Sequence, residues 1–325
     1  MEVHGRAVPD LSIVTVNYNT GALLLRCLRA VFENTREVQF EYFVVDNASR
    51  PDGSLEQVER QFPDVHLLEN DRNLGFAAGC NVALEQARGR YILLLNPDTV
   101  VQPRALDGMV EFLDTRPDVA VLGSPLVSAG GGDQGVAGRG FPTPLAALFG
   151  RTTLLTRLFP RNRFSARFSS QRDPDRRAPY DVDWVSGACM MVRAEAIEQV
   201  GTLDPDYFFM WEDADWCFRM QRAGWKVYCF HEANVVHCEG SSRNRDWRTL
   251  WRATIAFHQG AYRYYRKHIN ARSYDPTHLV VMAGLAARGA LVLSTRSLRR
   301  LGRRPPGNAQ PRAYAGHTGR PPFAD

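Results

Sequence analysis

Short apolar runs that end abruptly in polar residues alternate with segments of helical periodicity along the first third of the chain. Leu11–Val16 is mostly apolar and β-branched, and apolar residues recur at helical spacing between Leu24 and Phe32. Tyr42–Val45 and Val65–Leu68 predict two further short strands. This alternation predicts an α/β fold with a doubly wound, mostly parallel sheet and right-handed crossovers.

The same pattern continues further along the chain. Phe76–Ala87 is a segment of small residues with helical character, and it leads into Tyr91–Leu95, which is apolar at every position. A strand that is apolar on both faces is typical of the centre of a parallel sheet. Beyond a long irregular stretch, Arg193–Val200 and Glu212–Ala223 predict helices, and Lys226–Cys229 predicts a strand.

The composition along the chain predicts its domain organisation. We expect a flexible N-terminus at 1–9, followed by one α/β domain at 10–240. Within that domain, 128–178 is glycine-rich and then basic, which predicts a variable surface loop region. A helical extension is expected at 241–300. The segment 301–325 is rich in proline, glycine and arginine and is predicted to be disordered.

Charge is distributed unevenly over the 325 residues, whose formal net charge is +5. Residues 1–239 carry 24 basic and 32 acidic side chains, whereas residues 240–325 carry 16 and 3. No zinc-finger, RNP-like or helix-turn-helix pattern accompanies the basic end, so nucleic acid is not expected as a partner. The basic end indicates contact with an anionic surface, and membrane lipid is the first candidate.

The predicted extension contains two helical segments. Asp246–His268 has helical periodicity, and Leu279–Leu293 is apolar but contains Gly284, Arg288 and Gly289. We expect these three residues to interrupt the second segment and to leave it too short to span a membrane. It is better suited to lie at a membrane surface or to form the seam of a homodimer, and the sequence leaves both alternatives open.

The cysteines and the N-terminus indicate the cellular compartment. Six cysteines are scattered without a C-x-x-C pair, which predicts buried thiols in a reducing environment rather than disulfides or a zinc site. The first residues lack the apolar segment of a signal peptide. We therefore expect a cytoplasmic protein.

Polar residues stand at four successive predicted strand ends. In an open parallel sheet, ligands bind beyond the carboxyl ends of the strands. These ends carry the sequences Asn17-Tyr18-Asn19, Asp46-Asn47, Asn73 and Asn96-Pro97-Asp98. Neither a dinucleotide fingerprint nor a P-loop is present to bind phosphate through backbone amides. A divalent cation is therefore the expected partner of any phosphate bound here.

Two residues are candidates to hold that cation. Asp98 closes a buried strand, where a carboxylate binds Mg²⁺ or Mn²⁺ together with diphosphate oxygens and waters. Its alternative role is to cap a helix that begins near Pro103. His237 closes a short apolar strand and is either a core histidine or a metal ligand.

A second group of carboxylates follows an aromatic run at the start of a predicted helix. Glu212 and Asp213 come directly after Phe208–Trp211. Capping of the helix N-terminus is one interpretation, because that terminus favours negative charge. Two adjacent carboxylates exceed what one cap requires, so either is a candidate general base. Asp215 and Arg219 are predicted to form an ordinary i,i+4 pair.

Eight segments agree in order and spacing with one family. They are IVTVNYN (Ile13–Asn19), VVDNAS (Val44–Ser49), NLGFAAGCN (Asn73–Asn81), LLLNPD (Leu93–Asp98), WVSGACMMVR (Trp184–Arg193), FFMWEDADWCFR (Phe208–Arg219), VVH (Val235–His237) and RYYRKH (Arg263–His268). The chain thus resembles bacterial family 2 glycosyltransferases of the GT-A fold, in particular their rhamnosyltransferase-like branch, from about Leu11 to His268.

The resemblance implies transfer of a sugar from a nucleotide sugar to an acceptor hydroxyl, with inversion at the anomeric carbon. It implies L-rhamnose from dTDP-rhamnose as the donor, with a UDP-hexose or UDP-GlcNAc as alternatives. Asp46 would contact the base and Tyr18 would help to form the base pocket, while Asn73 and Asn81 would line the nucleotide and sugar site. The remaining residues implied at this site are Val16, Asn17, Gly75, Asn96 and Asp98.

The resemblance also implies roles in the chemical step. Asp98 stands where the family's metal-binding D-x-D motif ends, while Asn96 replaces the first aspartate. His237 matches a position that completes the metal shell in related enzymes. Asp213 matches the catalytic base, and Glu212 is its close rival.

The partners implied by the resemblance are a nucleotide sugar and a glycan or polyprenyl-linked saccharide acceptor used in cell-surface polysaccharide synthesis. The corresponding location is the cytoplasm, at the inner face of the plasma membrane. A non-catalytic nucleotide-sugar-binding protein is an alternative from another class. A nucleotidyltransferase is disfavoured, because the loop after the first strand, Asn17–Gly21, has one glycine and no lysine.

Overall fold

The computed structural model describes residues 8–128, 140–141, 178–233, 235–237 and 247–301. The predicted flexible N-terminus lies almost entirely outside these residues. Most of the predicted variable loop region and nearly all of the predicted disordered tail also lie outside them.

Strands and helices alternate through most of the first 127 residues, as the sequence pattern predicts, although β5 follows β4 and β7 follows β6 without a helix between them. The elements are β1 (Leu11–Asn17), α1 (Gly21–Asn34), β2 (Phe40–Asp46), α2 (Ser54–Gln61), β3 (Val65–Glu69), α3 (Phe76–Leu84), β4 (Tyr91–Leu95), β5 (Thr99–Val101), α4 (Ala105–Thr115), β6 (Val119–Gly123) and β7 (Leu126–Val127). Each predicted strand of this half is confirmed to within one or two residues.

The second half has shorter strands and longer helices. Its elements are β8 (Tyr180–Asp181), β9 (Cys189–Arg193), α5 (Ala194–Val200), α6 (Glu212–Arg222), β10 (Lys226–Cys229), β11 (Val235–His237), α7 (Trp247–Tyr264), a π-helical segment (Tyr265–Ile269) and α8 (Thr277–Leu301).

Eight strands form one twisted sheet in the order β3-β2-β1-β4-β9-β6-β10-β8. β1 runs parallel to β2 and β4, while β9 is antiparallel to both β4 and β6. β10 is parallel to β6 and antiparallel to the edge strand β8. A second sheet has the order β5-β11-β7. The predicted doubly wound, mostly parallel α/β sheet is therefore confirmed.

The core lies on both faces of the large sheet. In β4, Leu93 and Leu95 face one hydrophobic cluster with α1 and α4, whereas Ile92 and Leu94 face a second cluster with α3, α5 and α6. Because successive side chains of a strand point to opposite faces, a strand covered by helices on both sides must be apolar throughout. This explains why the central strands show no alternation of polar and apolar residues.

The buried cysteines of the described residues are thiols that form no disulfide with one another: Cys27, Cys80, Cys189, Cys217 and Cys229. The prediction of buried thiols is confirmed for these five, and Cys238 lies outside the described residues. Burial raises the pKa of Cys27 to about 11 and that of Cys189 to about 12. Both thiols are therefore uncharged at neutral pH and poorly nucleophilic.

The C-terminal helices correct one expectation. α7 and the π-helical segment cover the predicted helix, but α8 continues without a break through Gly284, Arg288 and Gly289. Gly289 lies against α7, where a β-carbon would meet the ring of His258 at 3.6 Å. The predicted interruption is wrong because a helical glycine costs only about 1 kcal/mol, which packing against a neighbouring helix can offset.

Candidate active site

The ends of β1 and β2 are joined by side-chain hydrogen bonds. Asn17 Nδ2 donates to Asp46 Oδ1 at 2.6 Å, and the Asn17 amide oxygen accepts the hydroxyl of Thr20 at 2.6 Å. The second oxygen of Asp46 accepts the backbone N–H of Ser49 at 2.8 Å. Asn17 and Asp46 are both buried. These bonds fix the orientation of the Asp46 carboxylate at the carboxyl edge of the sheet.

Tyr18 follows β1 at this edge and is 40% exposed, so its ring is available to a ligand. Val16 precedes it and is buried beneath α3. A β-carbon on Gly79 would lie 3.2 Å from Val16 and 3.0 Å from the amide of Asn47. Helix α3 therefore approaches the strand ends closely because residue 79 has no side chain.

The loop before α3 forms hydrogen bonds with the end of β2 and with the segment around Phe208. Asn47 Nδ2 donates to the Gly75 carbonyl at 2.8 Å, and Asn73 Oδ1 accepts the Gly75 N–H at 2.8 Å. The Phe76 N–H donates to the carbonyl of Phe208 at 2.8 Å. Gly75 has φ +87°, and a β-carbon there would clash with that same carbonyl. The strand ends and the segment preceding α6 are thus in direct contact.

Asn81 lies apart from these contacts. Its amide nitrogen donates to the carbonyl of Leu203 at 2.8 Å, while its amide oxygen is buried without a hydrogen-bond partner among the described residues. None of the hydrogen bonds that the structure gives Asn81 is to another predicted site residue.

Asp98 and His237 are brought together by pairing of β5 with β11. Thr99, which follows Asp98, is the register partner of His237 in this antiparallel ladder. Asp98 Oδ1 lies 3.2 Å from His237 Nε2, and the two residues are 7% and 5% exposed. A strand, not a helix, follows Asp98, and α4 begins only at Ala105. The helix-cap alternative for Asp98 is therefore wrong, and His237 is buried against a carboxylate.

This pair fits a divalent cation that is shared with a substrate. Within the residues that the structure describes, no three His, Cys, Asp or Glu side chains converge on one point. Mg²⁺ and Mn²⁺ are commonly held by one or two protein ligands, with phosphate oxygens and waters supplying the rest. One carboxylate oxygen and one imidazole nitrogen, 3.2 Å apart, match that incomplete donor set.

The two carboxylates at the start of α6 follow a turn with a rare backbone conformation. Met210 and Trp211 have φ values of +67° and +80°, a region that residues with side chains rarely adopt. Such strain persists where the surrounding structure imposes it, often at functional sites. Here Gly260 of α7 packs on this turn, since a β-carbon there would lie 2.8 Å from the Trp211 ring. Packing of α7 therefore stabilises the turn that precedes Glu212.

Asp213 and Glu212 occupy different environments. Asp213 is partly exposed and accepts backbone N–H groups from Gly187 at 3.2 Å and Ala214 at 2.8 Å. Glu212 is 5% exposed, and its Oε2 atom has no hydrogen-bond partner in the described part of the chain. Burial, and then the charge of Asp213, raises the pKa of Glu212 well above its usual range. Of the two, only Asp213 combines access to solvent with hydrogen bonds that favour the carboxylate.

Asp213 and Asp98 border the same strand end. The Gly187 N–H donates to Asp213, and the carbonyl of the next residue, Ala188, accepts the N–H of Asn96 at 3.0 Å. Asn96 in turn begins the turn that carries Asp98. A short run of direct contacts therefore places the base candidate and the cation candidate at one edge of the sheet.

Asp215 anchors a charged network that its sequence spacing only partly indicates. It is fully buried and lies 2.9 Å from Arg219, 2.8 Å from Lys267 and 2.7 Å from His268. The predicted pair with Arg219 is confirmed. Burial alone would raise the pKa of Asp215, but hydrogen bonds from His268, Lys267 and Arg219 outweigh it and lower the pKa to about 2.

Two further pairs join the same segments. Lys267 also contacts Asp204 at 2.7 Å, and Arg263 pairs with Asp206. The sequence indicated Lys267 and His268 as part of the RYYRKH segment, and Lys267 also as part of the basic C-terminal end, without a pairing to Asp215. Their contacts show that this segment holds the loop and helix that carry Asp213.

Comparison with solved structures identifies the fold. The chain superimposes on GalNAc-T7 with UDP, GalNAc and Mn²⁺ with a TM-score of 0.55 and 16% identity, covering 86% of this chain and 55% of that one. For the mannosyltransferase PcManGT from Pyrobaculum calidifontis in complex with GDP-Man and Mn²⁺, the TM-score is 0.51 and the identity 18%, over 90% and 81%. The molecule has the GT-A fold of glycosyltransferases.

Sequence comparison then identifies the family. Residues 12–201 match the model for Glycosyl transferase family 2. The chain belongs to this family and is a glycosyltransferase. It is 28% identical over 306 residues to the N-acetylglucosaminyl-diphospho-decaprenol L-rhamnosyltransferase of Mycobacterium tuberculosis, covering 90% of this chain and 96% of the relative. It is 26% identical to the O-antigen biosynthesis protein RfbC of Myxococcus xanthus, covering 83% and 21%.

Proposed function

We propose that this protein transfers L-rhamnose from dTDP-rhamnose, with inversion, onto a polyprenyl-diphosphate-linked saccharide during cell-surface polysaccharide synthesis. The observation that carries the transfer mechanism is the placement of Asp213 and the Asp98–His237 pair at one strand end. The relative from M. tuberculosis supports the choice of sugar and acceptor, because its name specifies both and it aligns along nearly its whole length.

Asp213 accepts the proton of the acceptor hydroxyl as its oxygen attacks the anomeric carbon. The backbone N–H groups of Gly187 and Ala214 donate to the two carboxylate oxygens of Asp213 and fix their position. A general base of this kind contributes a factor of about 10² to 10⁴ to the rate. Glu212 is buried, and burial raises its pKa well above the usual range, so we assign it to support of the turn and not to this proton transfer.

Asp98 and His237, whose Oδ1 and Nε2 atoms are 3.2 Å apart, would hold a Mg²⁺ or Mn²⁺ ion through one oxygen and one nitrogen ligand. When bound, the cation stabilises the negative charge that grows on the departing diphosphate. Asn96, in the place of a second carboxylate, leaves the protein with few charged ligands of its own. We therefore expect cation affinity to depend strongly on the bound nucleotide. Both neighbouring structures named above contain Mn²⁺, which supports this assignment.

The donor nucleotide occupies the edge formed by β1, β2 and the loop before α3. Asp46 contacts the pyrimidine base, and the exposed ring of Tyr18 stacks on it. Val16 and Asn17 support these two residues, Gly75 lets the loop approach Phe208, and Asn73 holds that loop in place. Asn81 supports the nucleotide and sugar site from α3.

The acceptor is carried on a lipid, so the reaction takes place at the inner face of the plasma membrane, with the protein on the cytoplasmic side. The basic C-terminal extension supports this location.

The proposal is tested by incubating the full chain and Mn²⁺ with dTDP-rhamnose, a UDP-hexose or UDP-GlcNAc, each with a polyprenyl-diphosphate-N-acetylglucosamine acceptor. Glycolipid product is measured by chromatography and nucleoside diphosphate release by a coupled assay. We expect product from dTDP-rhamnose alone. Product from a UDP-sugar alone would overturn the choice of rhamnose and leave the transfer mechanism standing. Release of diphosphate without glycolipid would overturn the choice of acceptor.

A further inference from the structure

Helix α8 has an apolar segment that the rest of the described structure barely covers. Thr277–Thr295 has a mean hydropathy of 1.5 over 19 residues, and 6% of this window is buried. By length and composition it is the only helix in the described part of the chain that could cross a membrane. An apolar surface of this extent is seldom left in water and marks a contact site.

The two faces of α8 differ. The inner face packs on α7: Tyr262 hydrogen-bonds His278 at 3.3 Å, and the Arg288 guanidinium lies 5.1 Å from the ring centre of Phe257. The outer face carries no charged residue between Thr277 and Ala287. Its large side chains are exposed: Leu279 by 67%, Val280 by 72%, Met282 by 40% and Leu291 by 63%.

The apolar surface continues beyond the start of α8. Ile269 is 45% exposed and Tyr274 fully exposed, in the connection between the π-helical segment and α8. A groove of about 810 Å³ separates that segment from the first turns of α8, and it is lined by Ile269, Val280 and Val281 together with Arg272. An exposed tyrosine and arginine at one end of an apolar helix are typical of proteins that anchor at a lipid–water interface.

The charge of the C-terminal segment indicates which partner covers the outer face of α8. Residues 247–301 carry ten basic side chains and one acidic side chain, Asp275, whereas residues 1–239 carry an acidic excess. Arg263 and Lys267 are paired with acidic residues and Arg288 packs on Phe257, which leaves seven basic side chains in this segment. A second copy docked face to face would bring these two basic segments together, which like charges oppose. Anionic lipid headgroups would neutralise them, and each Lys or Arg near such a surface adds about 1 kcal/mol of attraction.

We propose that the outer face of α8 is a docking surface for an anionic lipid bilayer, in which the helix lies parallel to the membrane plane. Because α7 covers the opposite face, α8 inserts its exposed side chains into the headgroup region and does not cross the bilayer. This inference adds a binding surface to the proposed function, from which it takes the location of the acceptor, but its test uses lipid alone.

The test is co-sedimentation of the full chain with phosphatidylcholine vesicles that contain either no anionic lipid or about 30% phosphatidylglycerol. The test variant is Val280→Glu with Leu291→Glu. The matched control is Val8→Glu with Gln86→Glu, which adds the same two negative charges outside the C-terminal helices, at an apolar residue that is 66% exposed and at an exposed glutamine. Thermal unfolding and nucleotide affinity of both variants check that they are folded.

We expect the wild type and the control to bind anionic vesicles and to be released by high salt. The test variant should bind at least about tenfold more weakly, and all three proteins should bind neutral vesicles poorly. Equal binding by the test variant and the wild type would overturn the assignment of the surface. Resistance to both high salt and alkaline carbonate would overturn the in-plane orientation. A dimer that the test variant dissociates, without vesicle binding, would identify a second copy as the occupant. None of these outcomes depends on sugar transfer.

Discussion

His268 Nε2 lies 2.7 Å from the buried carboxylate of Asp215, so the C-terminal segment is bonded to the helix that begins with Glu212 and Asp213. Fifty-three residues separate the two partners in sequence. With Lys267 on the same carboxylate and Gly260 against Trp211, the extension fixes the turn from which Asp213 projects. The extension is therefore part of the structure that positions Asp213, the proposed base.

Replacing His268 by alanine should lower both stability and turnover. A hydrogen bond to a charged group contributes about 1.5–3 kcal/mol, and the free energy of unfolding in urea should fall by this amount. Turnover should fall more than nucleotide affinity, since the nucleotide site is formed by other elements. Arg263→Ala is the matched control, because its exposed pair with Asp206 should contribute less than about 1 kcal/mol. Equal effects of the two variants would contradict a positioning role for His268.

Asp213→Asn should lower turnover by a factor of about 10² to 10⁴ while nucleotide binding is retained. The amide keeps the shape of the side chain but cannot take a proton. Glu212→Gln is the comparison, and it should retain most of the activity because Glu212 is buried and its pKa is raised well above the usual range, which makes it a poor base. Steady-state kinetics and calorimetric titration with nucleotide distinguish the two effects. An active Asp213→Asn enzyme would show that the base is elsewhere.

The raised pKa of Glu212 implies that the stability of the fold depends on pH. Its pKa in the folded state is raised, so above its ordinary value of 4.5 the unfolded chain loses this proton and the folded chain keeps it. The free energy of unfolding should therefore fall as pH rises, by up to about 1.4 kcal/mol per unit for this group. Glu212→Gln should remove this slope. Urea unfolding of the two proteins between pH 5 and pH 8 measures it, and parallel curves would contradict burial of a protonated Glu212.

Asp98→Asn and His237→Ala should each weaken Mn²⁺-dependent nucleotide binding. Each removes one of two protein ligands, so the affinity for nucleotide with Mn²⁺ should fall by about tenfold or more, while affinity measured with EDTA should change little. Calorimetry with and without the cation gives both values. A variant that lowers both affinities equally would assign the residue to the fold of the pocket instead of the cation.

Gly75→Ala tests the contact between the loop before α3 and the segment before α6. A β-carbon at residue 75 would lie 2.9 Å from the Phe208 ring and would clash with its carbonyl, at a φ of +87°. Gly53 has a similar φ of +77° with nothing within 4 Å, so Gly53→Ala measures the backbone cost alone, about 1 kcal/mol. We expect Gly75→Ala to lower stability and turnover well beyond that control. Equal losses would show that the contact contributes nothing.

Local pattern predicted the strands that lie between two helical layers, because burial on both faces leaves a signal within the strand itself. Leu93 and Leu94 face different clusters, and both must be apolar. The polar strand ends were found for the same reason, since each apolar run stops where the chain leaves the core. Asn17, Asp46 and Asp98 were all located in this way.

Contacts between distant segments could not be predicted from spacing. Arg219 lies one helical turn from Asp215, so that ion pair was predictable from the sequence. The contacts of Asp215 with Lys267 and His268 depend on how α7 packs. The unbroken helix through Gly289 was missed because the cost of a glycine is local, whereas its contact with His258 of α7 depends on how the two helices pack. The choice between Glu212 and Asp213 likewise required their burial, which the sequence alone does not state.

The register of the β5–β11 ladder determines whether His237 lies next to Asp98. His237 and Thr99 are register partners on the buried face, and the next pair, Val236 and Val100, points to the other side. Inserting or deleting a single residue in β11 before His237 would rotate the imidazole away from Asp98 even if all backbone pairing re-formed. The length of this three-residue strand is therefore as much a determinant of the site as the identity of its last residue, and a homologue with a histidine but a shifted strand would lack the pair.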